Sequence, residues 1–416
     1  MNEPTGYMLE LRDAVTRLPA DRLMPLRLAA LEQFAASGLP TARQEDWKYT
    51  DLAPVVEVGF DTPPTNDFDV AIRSATGDIE ADWLVIGNGE ARLQKLRGAE
   101  VRLLSDSGTP LESDMVWTQL NTALLRDGLH IRVAARKVVK RPIGVLFIDS
   151  SAAGSGMSQG RVRIEMDEGS SANFIEMHMS LGDNRHHANS VIDLDLGAGA
   201  LANYVRIQNR ARHHSQTARL DVRQDRDSVF NHAAFDFGGA LIRNDLAISI
   251  EAPGSLTTFD GLYLGGDGQH IDNHTRADHR VGPAVSRQEY RGILTGDARC
   301  VWNGKAIVHK GADGTDAAQA NHNLLLSDKA EIDAKPELEI YADEVKCSHG
   351  TTVGQLDETA LYYLRTRGLD KQLARQLLTH AFAHAIVGRA PVAAAQAALV
   401  ALLERRLVEM LGESGP

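Results

Sequence analysis

The stretch EVKCSHGTTVGQLD, Glu344 to Asp357, holds the side chains best suited to chemistry, the thiol of Cys347 and the imidazole of His349. With Val345 they fall at alternate positions, so in a strand all three project from one face and Lys346 and Ser348 from the other. Thiol and imidazole suit iron, zinc or copper, and a neighbouring imidazole can help hold a cysteine as thiolate. Two ligands do not complete a site, because an iron-sulfur cluster or a structural zinc takes about four protein donors. The only other cysteine, Cys300 in DARCVWNGKA, lies far upstream beside a strand start and reads as packed rather than reactive. A cluster bound here would borrow donors from another chain or from sulfide. The bland alternative is a small buried thiol beside a satisfied core or turn histidine, and the two-position pattern alone favours it.

Histidine is plentiful, 15 in all. The pairs His186-His187 and His213-His214 read as turn residues, and His270, His274 and His279 as part of a loop-rich stretch, QHIDNHTRADHR. A standalone zinc protein built on the last three would carry near-stoichiometric zinc, but no zincin spacing with a general-base Glu occurs. His380 and His384 stand at i and i+4 of a helical pattern and could ligate one metal. Ala381 follows His380 where a metalloprotease places its base, so the pair reads as lining a helix face. No phosphate-cradling Gly-rich loop, dinucleotide fingerprint or nucleophile elbow is present, so no nucleotide is expected on this chain.

The elements that hold these residues change character along the chain. Tyr7 to Ala36 has helical spacing broken by Pro19 and Pro25, which predicts two short helices ending at Gly38. In ARQEDWKYTDL, Ala42 to Leu52, Trp47 and Tyr49 read as loop anchors more than as a ligand-stacking pair. A Pro- and Asp-rich linker, Asp61 to Asp69, precedes Trp83 to Ile86, an Asn88-Gly89 turn and a short return strand, and Met115 to Leu125 reads as a helix. From Asp127-Gly128 the chain becomes a run of five- to eight-residue strands. Turn pairs at Gly169-Ser170, Gly199-Ala200, Asp227-Ser228, Gly254-Ser255, Asp297-Ala298 and Lys329-Ala330 recur at roughly 27 to 32 residues, with one longer interval over Gly265 to Pro283. That period points to a β-solenoid, whose coils bury their inner faces only against one another. Helices at both ends of the chain could cap it, and any uncovered edge is a candidate pairing surface. After Gly354 come three amphipathic helices, the second with Leu373, Leu377, Ala381 and Ile386 near one stripe, and together they leave apolar surface for a partner.

At 416 residues, with 43% hydrophobic and 24% charged residues, the composition is that of a globular protein. A formal charge of -12 argues against nonspecific nucleic-acid binding. The first residues lack the pattern of a secretory signal and no window is apolar enough to span a bilayer, so a cytoplasmic protein with no membrane partner is expected. Two cysteines exclude a disulfide scaffold.

The segment KCSHGTTVGQLDETALYYLRTRGL (Lys346 to Leu369), preceded by GDARCVWNGKAIV (Gly296 to Val308), resembles the shared core of the SufB/SufD iron-sulfur cluster assembly proteins. The KCSHG form and RQEDWKYTDL near the N-terminus resemble the SufD branch. The resemblance implies a right-handed parallel β-helix, at about 126–350, between an N-terminal helical segment, 1–125, and a C-terminal helical domain, 351–416. It implies pairing with SufB through β-helix edges and a SufC ATPase docked on the C-terminal helices. A transient iron-sulfur cluster would form at the SufB-SufD interface, with His349 and then Cys347 as donors from this side and the essential cysteine supplied by SufB. No role carries over to Cys300. On this reading the chain is a non-catalytic scaffold subunit, and in isolation it could form a homodimer. The rival reading is a β-helix enzyme acting on acidic polysaccharide, which needs a groove of carboxylates such as Glu165, Asp193 and Asp195.

Overall fold

The structure, a computed structural model, describes residues 5–62, 68–108 and 115–412. The strands are β1 (Asp82–Gly87), β2 (Glu90–Arg92), β3 (Glu100–Leu103), β4 (Leu129–Val133), β5 (Ile143–Ser150), β6 (Gly156–Met166), β7 (Ser171–Leu181), β8 (His186–Leu196), β9 (Leu201–Asn209), β10 (His214–Gln224), β11 (Val229–Asp236), β12 (Leu241–Ile250), β13 (Leu256–Gly265), β14 (His270–His279), β15 (Val285–Leu294), β16 (Arg299–Val308), β17 (Asp316–Leu325), β18 (Glu331–Ile340) and β19 (Lys346–Gly354). From β4 onward they alternate between two sheets, one ordered β19-β17-β15-β13-β11-β9-β7-β5-β1-β2 and the other β18-β16-β14-β12-β10-β8-β6-β4-β3. Neighbours in each sheet are parallel along the solenoid, so each coil lays one strand on either sheet. The expected β-helix is therefore present, with Asn88 (φ 45°) and Gly89 (φ 76°) making the tight turn of the first hairpin.

Register is pinned by side-chain ladders from coil to coil. Asn203 donates to Asn173 and Asn231 to Asn203 at 2.9 Å, and Thr258 donates to Asn231 at 2.8 Å. Each bond joins residues 27 to 30 apart, which is the length of one coil.

The turn pairs read as one drifting series belong to two corners. Gly169, Gly199, Asp227 and Gly254, with φ between 58° and 82°, precede strands of the first sheet. Their amides reach the next coil, Gly169 to Ala198, Gly199 to Arg226, Asp227 to Pro253 and Gly254 to Pro283. Asp297-Ala298 and Lys329-Ala330 precede β16 and β18 of the second sheet. The long interval in the sequence is the step from one corner to the other, and the coil length does not change there.

Between the sheets lies a continuous core in which Phe174, Tyr204 and Phe259 meet Ile192, Leu194, Leu220 and Ile248. Polar pairs interrupt it: Arg210 binds Asp149 at 2.6 Å, Arg206 binds Asp236 at 3.0 Å, and Tyr204 donates to Glu176 at 2.6 Å. Buried charges are tolerated where each finds its counterion.

The helices are α1 (Thr5–Thr16), α2 (Met24–Ser37), α3 (Ala53–Val56), α4 (Asp69–Thr76), α5 (Leu104–Ser107), α6 (Val116–Ala123), α7 (Glu358–Thr366), α8 (Lys371–Val387) and α9 (Ala393–Leu411). Gly38 stops α2 as predicted, and of the expected linker over Asp61 to Asp69 residues 63–67 lie outside the described residues. None of the described helices packs over the last coil. Leu11, Phe34 and Leu120 of α1, α2 and α6 cluster with Trp47, Trp117, Met157 and Leu241 at the starts of second-sheet strands. α8 and α9 lie along the outer face of the first sheet, where Ile386, Leu399 and Leu403 cover Val205, Phe235 and Leu262.

α8 splits the predicted stripe, burying Ile386 and leaving the rest as apolar surface. Its buried residues are Ala374, Thr379, Ala383, Ile386 and Val387, while Leu373, Leu377 and Ala381 of the predicted stripe face outward. Small side chains let the helix close on its neighbours, and the larger leucines are displaced to the opposite face.

Candidate functional site

β18 and β19 are the terminal strands of their sheets, and both sheets end there as open edges. Pro336 sits in β18, where a missing N–H is tolerated because one side of the strand has no partner. The chemistry-bearing residues belong to this last coil.

In-register parallel pairing keeps side chains of one face in file along the solenoid. One file runs Phe174, Tyr204, His232, Phe259, Gln288, Gln319, His349. A second, two residues earlier on each strand, runs Ala172, Ala202, Phe230, Thr257, Ser286, Ala317, Cys347. All members before β19 are buried, and Gln319 reaches across the interior to the Gly304 carbonyl and the Ala306 N–H of β16, each at 3.2 Å. Cys347 and His349 thus occupy core-facing positions of a coil over which the solenoid stops. His349 is exposed and Cys347 partly buried.

Around them the last coil presents Ile340, Tyr341 and Val353 to solvent. Burial, reinforced by the Asp316 carboxylate, pushes the Cys347 thiol up, so His349 does not hold it as a thiolate in this chain. Cys300, fully buried in β16, is pushed further up by desolvation and is inert packing.

Apart from His380 and His384, the other histidine candidates disperse. The segment QHIDNHTRADHR is not a loop: its histidines lie on β14 and go to separate partners, His270 to Thr50 at 2.9 Å, His274 to Asp272 at 3.1 Å and His279 to Ser286 at 2.9 Å. His186, His187 and His214 are likewise fully buried at strand starts rather than in exposed turns. These polar rings are buried because hydrogen-bond partners come from other coils, Ser158 for His186 at 3.0 Å and Ser215 for His187 at 2.9 Å.

Trp47 anchors its loop as expected, beneath the Arg243 guanidinium at 4.3 Å and beside Trp117. Thr50 of the same segment donates to Asp272 at 2.5 Å. The carboxylates that a polysaccharide enzyme would need are occupied. Asp193 binds Arg161 at 2.8 Å, Asp195 is shared by Arg163 and Arg223, and Glu165 stands 3.3 Å from His130. The open groove beside them, about 670 Å³, is lined by Asp167, Asp195, Arg223 and Glu251, with Asp167 tied to Arg132 at 2.9 Å.

On the C-terminal helices Tyr362, Tyr363, Leu373, Leu377 and Val408 are exposed, Leu377 by 48%. None of the described helices is long and apolar enough to cross a membrane.

Comparison with known proteins covers nearly the whole of this architecture. Residues 147–382 match the SufBD core domain of SUF-system iron-sulfur cluster assembly, and residues 7–74 match the SufBD protein N-terminal region. The chain is 31% identical over 373 residues to the iron-sulfur cluster assembly protein SufD of Escherichia coli, covering 85% of this chain and 86% of that protein. It is 28% identical over 405 residues to an iron-sulfur cluster assembly SufBD family protein of Synechocystis, covering 91% and 89%. A SufBD family protein of Mycobacterium tuberculosis is 27% identical over 380 residues, 89% of either chain.

Proposed function

Because the chain belongs to the SufB/SufD family of iron-sulfur cluster assembly proteins, we propose that it is a scaffold subunit that pairs with a SufB-like subunit across the open end of its solenoid. The cluster is the cargo. It forms where the two solenoids meet, with His349 the principal donor from this side, Cys347 the second, and the remaining donors from the partner and from sulfide. A SufC-like ATPase docks on the apolar face of α7 and α8 and supplies the nucleotide chemistry for which this chain has no phosphate-binding loop. The assembly works in the cytoplasm and releases the cluster.

One observation carries this reading: Cys347 and His349 stand in the inward files of the last coil, on the strand at the free edge of the first sheet. A pair of soft donors at an unfinished core is what a second solenoid would complete.

Reconstitution with SufB-like and SufC-like partners, followed by iron and sulfide quantitation, tests it. His349→Ala should lower cluster yield several-fold while the complex still elutes intact, and Cys347→Ser should lower it less. An unchanged yield in His349→Ala would remove the assigned donor. A chain that stays alone with both partners present would remove the scaffold itself.

A further inference from the structure

Away from the open end, α8 and α9 bring together three side chains that the cluster reading does not use. His380 and His384 lie one turn apart on α8, with ring centroids 6.4 Å apart and planes inclined by 26°. Glu404 on α9 stands between them, one oxygen 2.9 Å from His380 Nδ1 and the other 2.8 Å from His384 Nε2. One ligand atom from each lies within 4.8 Å of the others, and among the described residues this is the one group of three or more such side chains so placed.

The backbone beneath is rigid. Thr379 and Ala383 on α8 and Leu402, Leu403 and Leu407 on α9 are buried, so the helices that carry the three groups are fixed by the core. The groups themselves are 24%, 40% and 40% exposed, which leaves an approach from solvent. Around a tetrahedral zinc with bonds of about 2.0 to 2.1 Å, neighbouring donor atoms sit about 3.3 Å apart. The two carboxylate contacts would open by about half an ångström and the ligand atoms, all within 4.8 Å of one another, would settle at that spacing, which half-exposed side chains can reach.

We propose that His380, His384 and Glu404 form a binding site for one divalent first-row transition ion of the zinc type, with a fourth position open to water. Two imidazoles and one carboxylate are borderline donors that suit zinc or cobalt, whereas magnesium and calcium call for oxygen-rich shells. The ion joins α8 to α9 one turn from the exposed Leu377, so it stiffens the helical face on which that stripe lies. The site is independent of the cluster reading and stands whether or not that reading holds.

The test is a Co²⁺ titration of the full, untagged, chelator-stripped chain, read by visible absorption and then challenged with Zn²⁺. One equivalent of cobalt should bind, lose its colour on adding zinc, and raise the thermal midpoint. Glu404→Gln keeps the hydrogen bonds to both rings but removes the ligand charge, and should weaken binding at least about tenfold, as should His380→Gln combined with His384→Gln. A Cys347→Ser, His349→Ala chain should bind as the parent does, which separates this site from the open end. Full cobalt binding by both the Glu404→Gln chain and the double-histidine variant, or no binding by the parent, overturns the proposal.

Discussion

At the scale of residues, position along a file decides what a side chain can do. His232 and His349 belong to the same file four coils apart, yet one is sealed and the other open. Burial, helped by the Arg206 guanidinium, holds the His232 imidazole down to about 3, and burial likewise takes His187 and His214 to about 3. The unfolded chain protonates these rings at the ordinary value near 6.5, so the native state binds fewer protons below that pH. Their stabilisation is fully present above about pH 6.5 and is lost as pH falls from there toward 3, at about 1.4 kcal/mol per ring per pH unit. Urea unfolding should therefore show a midpoint that drops steeply between pH 6.5 and 5. His232→Gln should remove about one ring's share of that slope, and a pH-independent midpoint would contradict the sealed placement.

At the scale of elements, α8 carries two faces with different work. The face of Ala374, Ala383 and Ile386 is core, and a charge there would unfold the helical end. Leu373 and Leu377, 44% and 48% exposed, contribute little to the chain's own stability. Leu377→Asp should leave the thermal midpoint within the range of about 0.5 kcal/mol typical of surface changes. It should nonetheless abolish co-elution with the SufC-like ATPase in size-exclusion chromatography. If the midpoint falls instead, Leu377 is part of the core; if co-elution persists, the ATPase docks elsewhere.

At the scale of the whole molecule, the solenoid begins on two short antiparallel strands and finishes on two long parallel ones. β2 and β3 end the first coil by antiparallel pairing with β1 and β4, and the chain turns back on itself there. Among the described residues β18 and β19 have no such return strand. Val353, on the same face of β19 as Cys347 and His349, is 51% exposed, and Val353→Lys puts a charge where natural sheets blunt an edge. Light scattering of the mixture with the SufB-like subunit should show the heterodimer lost, while circular dichroism of the isolated variant stays that of the parent. A heterodimer of undiminished affinity would move the interface away from this end.

Local patterns were legible from the chain because their causes are local. Leu120 and Leu124 marked a helix, Asn88-Gly89 a hairpin, and the turn pairs a coil of about 30 residues. The alternation of Cys347 and His349 put both on one face of a strand, and the strand is there. The sequence could not say that His186, His187, His214, His270 and His279 are strand residues, because a buried imidazole is tolerated only when a neighbouring element, often the next coil, supplies its partner. Nor could it say which stripe of α8 is core, since that depends on how closely α9 and the first sheet approach. Tertiary structure alone decided where the described helices lie, along the flanks and not over the last coil, and so left Cys347 and His349 on an edge strand. The distinction is one of range: propensity and period act within a turn or a coil, whereas burial and exposure are set by contacts between residues far apart in the chain.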